Sequence, residues 1–106
     1  WEKDVCNLLD LSPLVISFSL ESFIIPYKNS KDESRFSRID FLIHLISNNI
    51  LMLEVKPKPL QILGENFFKI CGYQKYCRNH NFQFKAYDHV EDNLVEILDG
   101  ANKGIL

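Results

Sequence analysis

The chain has 106 residues, of which 46% are hydrophobic and 25% charged, and its formal net charge is −2 at pH 7. These fractions are typical of an ordinary globular protein and disfavour disorder, and the length fits a single domain over residues 1–106. The weakly acidic balance makes a nucleic-acid partner less expected without excluding one, because acids can gather around a metal while Lys and Arg lie elsewhere.

The first part of the chain predicts a helix and a strand. Residues 1–10 place apolar side chains at helical spacing, and Pro13 ends this helix. Residues 14–27 are rich in β-branched and aromatic side chains, and Phe18 and Leu20 alternate with serines, which is typical of a strand. The polar segment KNSKDES then predicts a turn.

Two more strands complete a predicted meander. Residues 35–46 form the second strand, residues 47–49 (Ser-Asn-Asn) a tight hairpin, and residues 50–56 a mostly apolar third strand. Because side chains alternate between faces, the second strand has Ile39, Phe41, Ile43 and Leu45 on one face and Asp40, Leu42 and His44 on the other. The third strand has Met52, Glu54 and Lys56 on one face and Leu51, Leu53 and Val55 on the other.

A long helix is predicted next, from about residue 60 to residue 78. Gly64 and Gly72 each weaken this helix by about 1 kcal/mol relative to Ala. Asn79 or Asn81 is expected to end it in a left-handed cap.

The last part of the chain predicts a strand and a short helix. Residues 82–87 alternate between two faces, and Asp88 is expected to cap a helix that runs through Leu98 and ends at Gly100. A strand that follows a crossover helix usually pairs in parallel within the same sheet. The element order therefore predicts an α/β (α+β mixed) fold, with a mixed central sheet flanked by helices.

Cysteine content and hydropathy indicate the compartment. The three cysteines, an odd number, favour free thiols in a reducing, cytoplasmic environment, and Cys6 and Cys71 are expected in the core. No apolar run approaches the roughly 18 residues of a transmembrane helix, and no signal-peptide pattern is present, so no membrane partner is expected. The chain begins at Trp1 rather than Met, and we expect that it is trimmed at its N-terminus.

Three charged residues on the second and third strands could do chemistry together. If the hairpin aligns their faces, Asp40, Glu54 and Lys56 converge at one end of it. Two adjacent carboxylates repel each other unless a cation joins them, and Mg²⁺ or Mn²⁺ takes oxygen ligands and keeps several waters. Such an ion activates water and polarises a phosphoryl oxygen, while a nearby Lys orients or deprotonates the water or stabilises charge on the phosphate. The arrangement suits phosphodiester hydrolysis.

A simpler interpretation competes with this one. An acid-x-Lys triplet occurs in most chains by chance, and Glu54 and Lys56 would then be a solvated pair at a sheet edge. Lys58 and Gln61 lie just past the triplet. They could contact DNA phosphate or support the site from the start of the helix, or they could be exposed polar residues of a turn.

The segment RIDFLIHLISNNILMLEVKP resembles the signature of PD-(D/E)xK nucleases, in which a strand carrying Asp precedes a strand ending in ExK. More narrowly, the chain is similar to the N-terminal catalytic domain of TnsA-type transposon endonucleases. The stretches WEKDVCNLLDLSPLVISFSLESFIIPY, EVKPKP and FQFKAYDHVEDNLVEIL extend the similarity over nearly the whole chain. Its specific residues are Glu2, Asp40, Glu54 and Lys56.

This resemblance implies a restriction-endonuclease-like αβββαβ core and a Mg²⁺-dependent (or Mn²⁺-dependent) endodeoxyribonuclease. Glu2, Asp40 and Glu54 would hold the metal, with the Val55 carbonyl as a further contact, and Lys56 would be the catalytic base or charge stabiliser. The implied partners are double-stranded DNA, a second transposase subunit and a possible second copy of the chain.

The chain departs from the family pattern at two positions. Ile39 precedes the Asp where Pro is usual, and Glu21 lies where a Gln-Pro pair is frequent, so that Glu21 could face either the site or solvent. Two alternatives to a TnsA-type enzyme stay open. One is another PD-(D/E)xK nuclease, of resolvase or restriction type, from a phage or mobile element. The other is a catalytically silent module that binds DNA or protein.

Overall fold

The computed structural model describes residues 1–106 and contains four helices and six strands. The helices are α1 (Glu2–Leu11), α2 (Lys58–Gln61), α3 (Gly64–His80) and α4 (Leu94–Lys103). The strands are β1 (Val15–Leu20), β2 (Ile24–Lys28), β3 (Ser34–Arg38), β4 (Phe41–Leu45), β5 (Ile50–Val55) and β6 (Gln83–Tyr87). No helix combines the length and the apolar character needed to cross a membrane.

Four strands form a mixed sheet in the order β1-β4-β5-β6. The β1–β4 and β4–β5 pairs are antiparallel, whereas β5 and β6 are parallel because α3 carries the chain back across the sheet between them. Strands β2 and β3 pair only with each other, in a separate antiparallel ribbon. The predicted mixed α/β fold with a helix-flanked mixed sheet is thus confirmed.

Two apolar layers cover the sheet. On one face, α1 and α4 pack against alternate residues of β4 and β5, and this cluster includes Leu51, Leu53 and Val55. On the other face, Met52 packs with Tyr73 and Cys77 of α3. The alternation predicted for β5 is therefore confirmed, and it leaves Glu54 on the α3 side of the sheet next to buried residues. Each fully buried large side chain contributes about 1.5–3 kcal/mol relative to exposure.

The two long strands predicted before residue 47 are wrong, because each is divided by a bend. The first breaks at Glu21, whose φ of 48° is left-handed, and the second breaks at Ile39 and Asp40. Backbone hydrogen bonds close the base of the ribbon across these bends: the N–H of Glu21 donates to the carbonyl of Asp40, and that of Ile39 to the carbonyl of Phe23. As a result Ile39 packs on the α3 side of the sheet, not beside Phe41.

The predicted long helix is also divided. It breaks at residues 62–63, and Gly64 begins α3 with a left-handed φ of 52°. Of the two predicted caps, Asn81 ends α3 with φ 57°, and its N–H donates to the Cys77 carbonyl. Gly72 has a packing role: a Cβ there would lie 2.5 Å from the Cβ of Tyr27, so glycine lets β2 approach α3 closely.

The last helix begins later and ends later than predicted. Asn93 caps α4 by accepting a hydrogen bond from the N–H of Glu96, and Gly104, with φ 75°, ends it. Asp88 does not cap this helix, because its carboxylate instead accepts from the N–H groups of Lys58 and Val90. Gly100 lies buried inside α4 rather than at its end.

All three cysteines are free thiols, as predicted. Cys77 is buried and Cys6 half-buried. The prediction that Cys71 lies in the core is wrong, because this position of α3 lines an open groove beside β2 and is exposed.

Candidate active site

The site lies where β4 begins and β5 ends. These strands run antiparallel with Phe41 opposite Leu53, so Asp40, just before β4, is brought beside Glu54. The N–H of Asp40 donates to the Glu54 carboxylate at 3.3 Å, and the N–H of Val55 donates to the Asp40 carboxylate at 2.8 Å. Each acid is thus fixed by the strand that carries the other, and the predicted convergence of Asp40 with Glu54 is present.

Burial and charge act together on Glu54. Its side chain is 6% exposed. Burial raises the pKa of Glu54 to about 8, the negative charge of Asp40 and a hydrogen bond to its side chain add to the rise, and the positive charge of Lys56 opposes it. The metal-free site therefore favours the protonated form of Glu54, whose proton a divalent cation would displace. The pKa of nearby Tyr73 is also raised, by its burial and then by the charge of Glu54.

Two further acids lie against Asp40. Carboxylate oxygens of Glu2, Glu21 and Asp40 all lie within 4.8 Å of one another. Glu2 reaches this position from the first turn of α1, and Glu21 from the bend after β1. Glu54 contacts Asp40 but is not part of this three-carboxylate group. Asp40 is therefore the carboxylate that joins the buried acid to the two exposed ones.

Sequence reasoning left the direction of Glu21 open, and the structure turns it toward Asp40 rather than away from it. The available signal was an acid placed directly after an apolar strand. The left-handed backbone of Glu21, which directs this side chain toward Asp40, is uncommon for Glu, and no sequence pattern predicted it.

Lys56 and Val55 lie at the exit of β5. The side chain of Lys56 is half-buried and makes none of the four ion pairs of the chain, so its charge is not neutralised by a close carboxylate. Its N–H donates to the Tyr87 carbonyl, which holds the exit of β5 against β6. Val55 is buried, with its N–H directed to Asp40.

The two residues predicted to contact DNA have other partners. The Lys58 ammonium pairs with Glu91 at 3.2 Å and with Asp92 at 3.6 Å, and these acids raise its pKa. The side-chain amide of Gln61 donates to the Lys56 carbonyl at 2.8 Å. Gln61 thus supports the backbone of Lys56, and Lys58 ties α2 to the loop after β6.

No protein-family model matches the chain, and comparisons with curated proteins and with solved structures likewise found no match. The assignment of function therefore depends on the chemistry of these residues.

Proposed function

We propose that the chain is a Mg²⁺-dependent (or Mn²⁺-dependent) endonuclease that hydrolyses phosphodiester bonds of double-stranded DNA at the Asp40–Glu54–Lys56 site. The observation that carries the proposal is the enforced contact between Asp40 and the buried Glu54, with two more carboxylates beside Asp40. The raised pKa of Glu54 shows that ionising this acid beside Asp40 is costly, and a bound cation would offset that cost.

The donor set fits a hard divalent cation. All the side chains offered are carboxylates, and three of them bring oxygens within 4.8 Å of one another, which is the ligand type that Mg²⁺ and Mn²⁺ take. We assign Asp40 as the central ligand, Glu54 and Glu2 as further ligands, and the Val55 carbonyl as a possible backbone contact. Glu21 is a further ligand in this proposal, because its carboxylate lies beside those of Glu2 and Asp40. When bound, the ion supplies an activated water and charge neutralisation at the phosphate.

The residues of the chain perform the remaining tasks. The N–H of Val55 holds the Asp40 carboxylate in one orientation, and Glu54 would release its proton on binding a cation. Attack of water would form a new O–P bond as the bond to the leaving deoxyribose oxygen breaks; the attacking water would give its proton to solvent, and the leaving oxygen would take one from solvent. Lys56, whose charge has no close carboxylate partner, stabilises the negative charge that develops on the phosphate.

The finer fold assignment is part of the same proposal. The order of α1, the antiparallel strands β1, β4 and β5, the crossover helix α3 and the parallel strand β6 is consistent with a restriction-endonuclease-like αβββαβ core. The β2–β3 ribbon would be an insertion between the first two core strands. Among proteins with this core, we assign the chain to the DNA-cleaving subunits of TnsA-type heteromeric transposases.

The experiment is divalent-metal titration together with nicking of supercoiled plasmid by the full chain. Wild type is compared with Asp40→Ala and Lys56→Ala, and Lys103→Ala on α4 serves as the matched surface control. We expect metal-dependent nicking by wild type and the control and none by the two site variants. Absence of metal binding by the folded wild type at millimolar Mg²⁺ or Mn²⁺ would overturn the proposal. Dependence of this nicking on an added partner protein would favour the transposase subunit over a free-standing resolvase or restriction-type nuclease.

A further inference from the structure

The β2–β3 ribbon presents a face without acids to solvent. Side chains at alternate positions of the two strands are exposed, six in all, and three of them (Pro26, Lys28 and Ser34) also border the open groove beside α3. They form three cross-strand pairs, Ile24 with Arg38, Pro26 with Phe36, and Lys28 with Ser34. We call these six residues the ribbon face. Its centre is Phe36, which is 72% exposed, and a cation lies toward each end.

The two cations of the ribbon face are not neutralised. Neither Lys28 nor Arg38 belongs to an ion pair, and the Arg38 guanidinium donates only to the backbone carbonyl of Glu21. Acids do occur at the tip of the ribbon, outside the ribbon face: Glu33 is engaged by Asn29 and Arg35, and Asp32 lies exposed in the turn between the two strands. A chain of net charge −2 thus keeps a positive strip with an exposed aromatic ring at its middle.

The ribbon is firmly attached, so its face has a fixed direction relative to the acids. On the inner side Ile25 and Tyr27 are buried, and Gly72 of α3 allows their close approach. The hydroxyl of the buried Tyr73 hydrogen-bonds the side chain of Ser37 at 2.6 Å and the carbonyl of Arg38 at 3.3 Å. Arg38 lies two residues before Asp40, so a phosphate contacted at this end of the ribbon lies close to the carboxylates.

We propose that the ribbon face binds duplex DNA for the proposed nuclease, on whose function this inference rests. Lys28 and Arg38 contact phosphates, and Phe36 packs against base edges between them. Four strand positions separate the two cations along the ribbon axis, a spacing of about 13 Å in that direction. That is close to the roughly 12 Å width of the B-DNA major groove, which admits a two-stranded β-ribbon. The charge of the ribbon face complements phosphate and gives a basic protein partner no acid with which to pair.

Binding is measured with a fluorescent duplex and the full chain in EDTA, over a series of salt concentrations. The variant Lys28→Ala/Arg38→Ala is compared with Arg78→Ala/Lys103→Ala, which removes the same charge from exposed positions of α3 and α4. We expect the ribbon variant to bind about tenfold more weakly or worse, with the slope of log K against log salt reduced by about 2, since each lost phosphate contact removes about 0.9. The control double variant keeps the wild-type slope.

Phe36→Ala tests the apolar contact separately, with Ile105→Ala, another highly exposed residue, as its control. We expect Phe36→Ala to weaken binding without changing the salt slope, because no phosphate contact is lost. Three results would each overturn the inference. The ribbon and control double variants could bind duplex DNA equally well, or wild type could fail to bind duplex DNA. The third result is binding to anionic phospholipid vesicles that depends on Lys28 and Arg38 in the same way as binding to DNA. If wild type binds DNA through the ribbon but never cleaves it, the nuclease proposal is wrong and the inference about the ribbon face stands. If the ribbon variants cleave DNA as fast as wild type, the inference about the ribbon face is wrong and the nuclease proposal stands.

Discussion

Replacing Glu54 with Gln should stabilise the metal-free protein, which is unusual for a change at a 6% exposed residue. Gln matches the protonated carboxyl in shape, and its amide can still accept from the N–H of Asp40 and donate to the Asp40 carboxylate. The substitution removes only the buried charge that forms when Glu54 ionises. It therefore isolates the electrostatic cost of keeping this acid in place.

The size of the effect follows from the pKa of Glu54, which the fold raises from 4.5 to about 8. Because the folded protein holds this proton more tightly than the unfolded chain, the contribution of Glu54 to stability is greatest at low pH and falls as pH rises through the window from 4.5 to about 8. At 1.36 kcal/mol for each pKa unit, the loss reaches roughly 5 kcal/mol above that window and roughly 3 kcal/mol at neutral pH. These are upper limits, since partial opening lets water reach the ionised carboxylate.

Urea unfolding followed by circular dichroism, in EDTA, measures the difference between wild type and Glu54→Gln. We expect little difference near pH 5 and a variant more stable by several kcal/mol near pH 9. Glu96→Gln, at an exposed position of α4 outside the ion pairs, is the control and should show no such dependence. A wild-type-to-Gln difference that is flat with pH would refute the account of Glu54 as a buried acid destabilised by Asp40.

Three further outcomes are expected. Mg²⁺ or Mn²⁺ should bind more tightly as pH rises toward about 8 and release up to about one proton per ion, because Glu54 must ionise first. Titration calorimetry in two buffers of different ionisation enthalpy measures the number of protons released. An affinity that does not change with pH would contradict this prediction. Gly72→Ala should lower the free energy of unfolding, measured with urea, by about 1–3 kcal/mol despite the better helix propensity of Ala, because its Cβ would meet Tyr27. An unchanged or higher free energy of unfolding would show that β2 can move away from α3. Asn93→Ala should cost about 1 kcal/mol by removing the α4 cap, whereas Asn93→Asp should retain it, and equal loss in both would rule out capping as the cause.

Local patterns predicted the central part of the site. The period-two alternation of residues 50–56 correctly separated Glu54 from Leu53 and Val55, because one face of β5 packs on α1 and α4 and the other on α3. The short Ser-Asn-Asn hairpin fixed the register of β4 against β5 closely enough to bring Asp40 beside Glu54. Such contacts follow from neighbouring strands and need no long-range information.

The bends and long-range contacts could not be predicted in the same way. Residues 14–27 and 35–46 are rich in strand-forming side chains throughout, so nothing in their period marks where the chain leaves the sheet to form the ribbon. The bend at Glu21 depends on a left-handed φ that glycine or asparagine would have signalled. Asp88 looked like a helix cap by local rules, but its carboxylate bonds to the N–H of Lys58, 30 residues away.

Cleavage of labelled duplex DNA by wild type and Glu54→Gln, assayed side by side with and without Mg²⁺ or Mn²⁺, tests the central claim most directly. The account predicts that wild type cuts only with the metal and that Glu54→Gln, although folded and more stable, does not cut. Metal-dependent cleavage of equal rate by both proteins, or no cleavage by wild type in the presence of either metal, would contradict it.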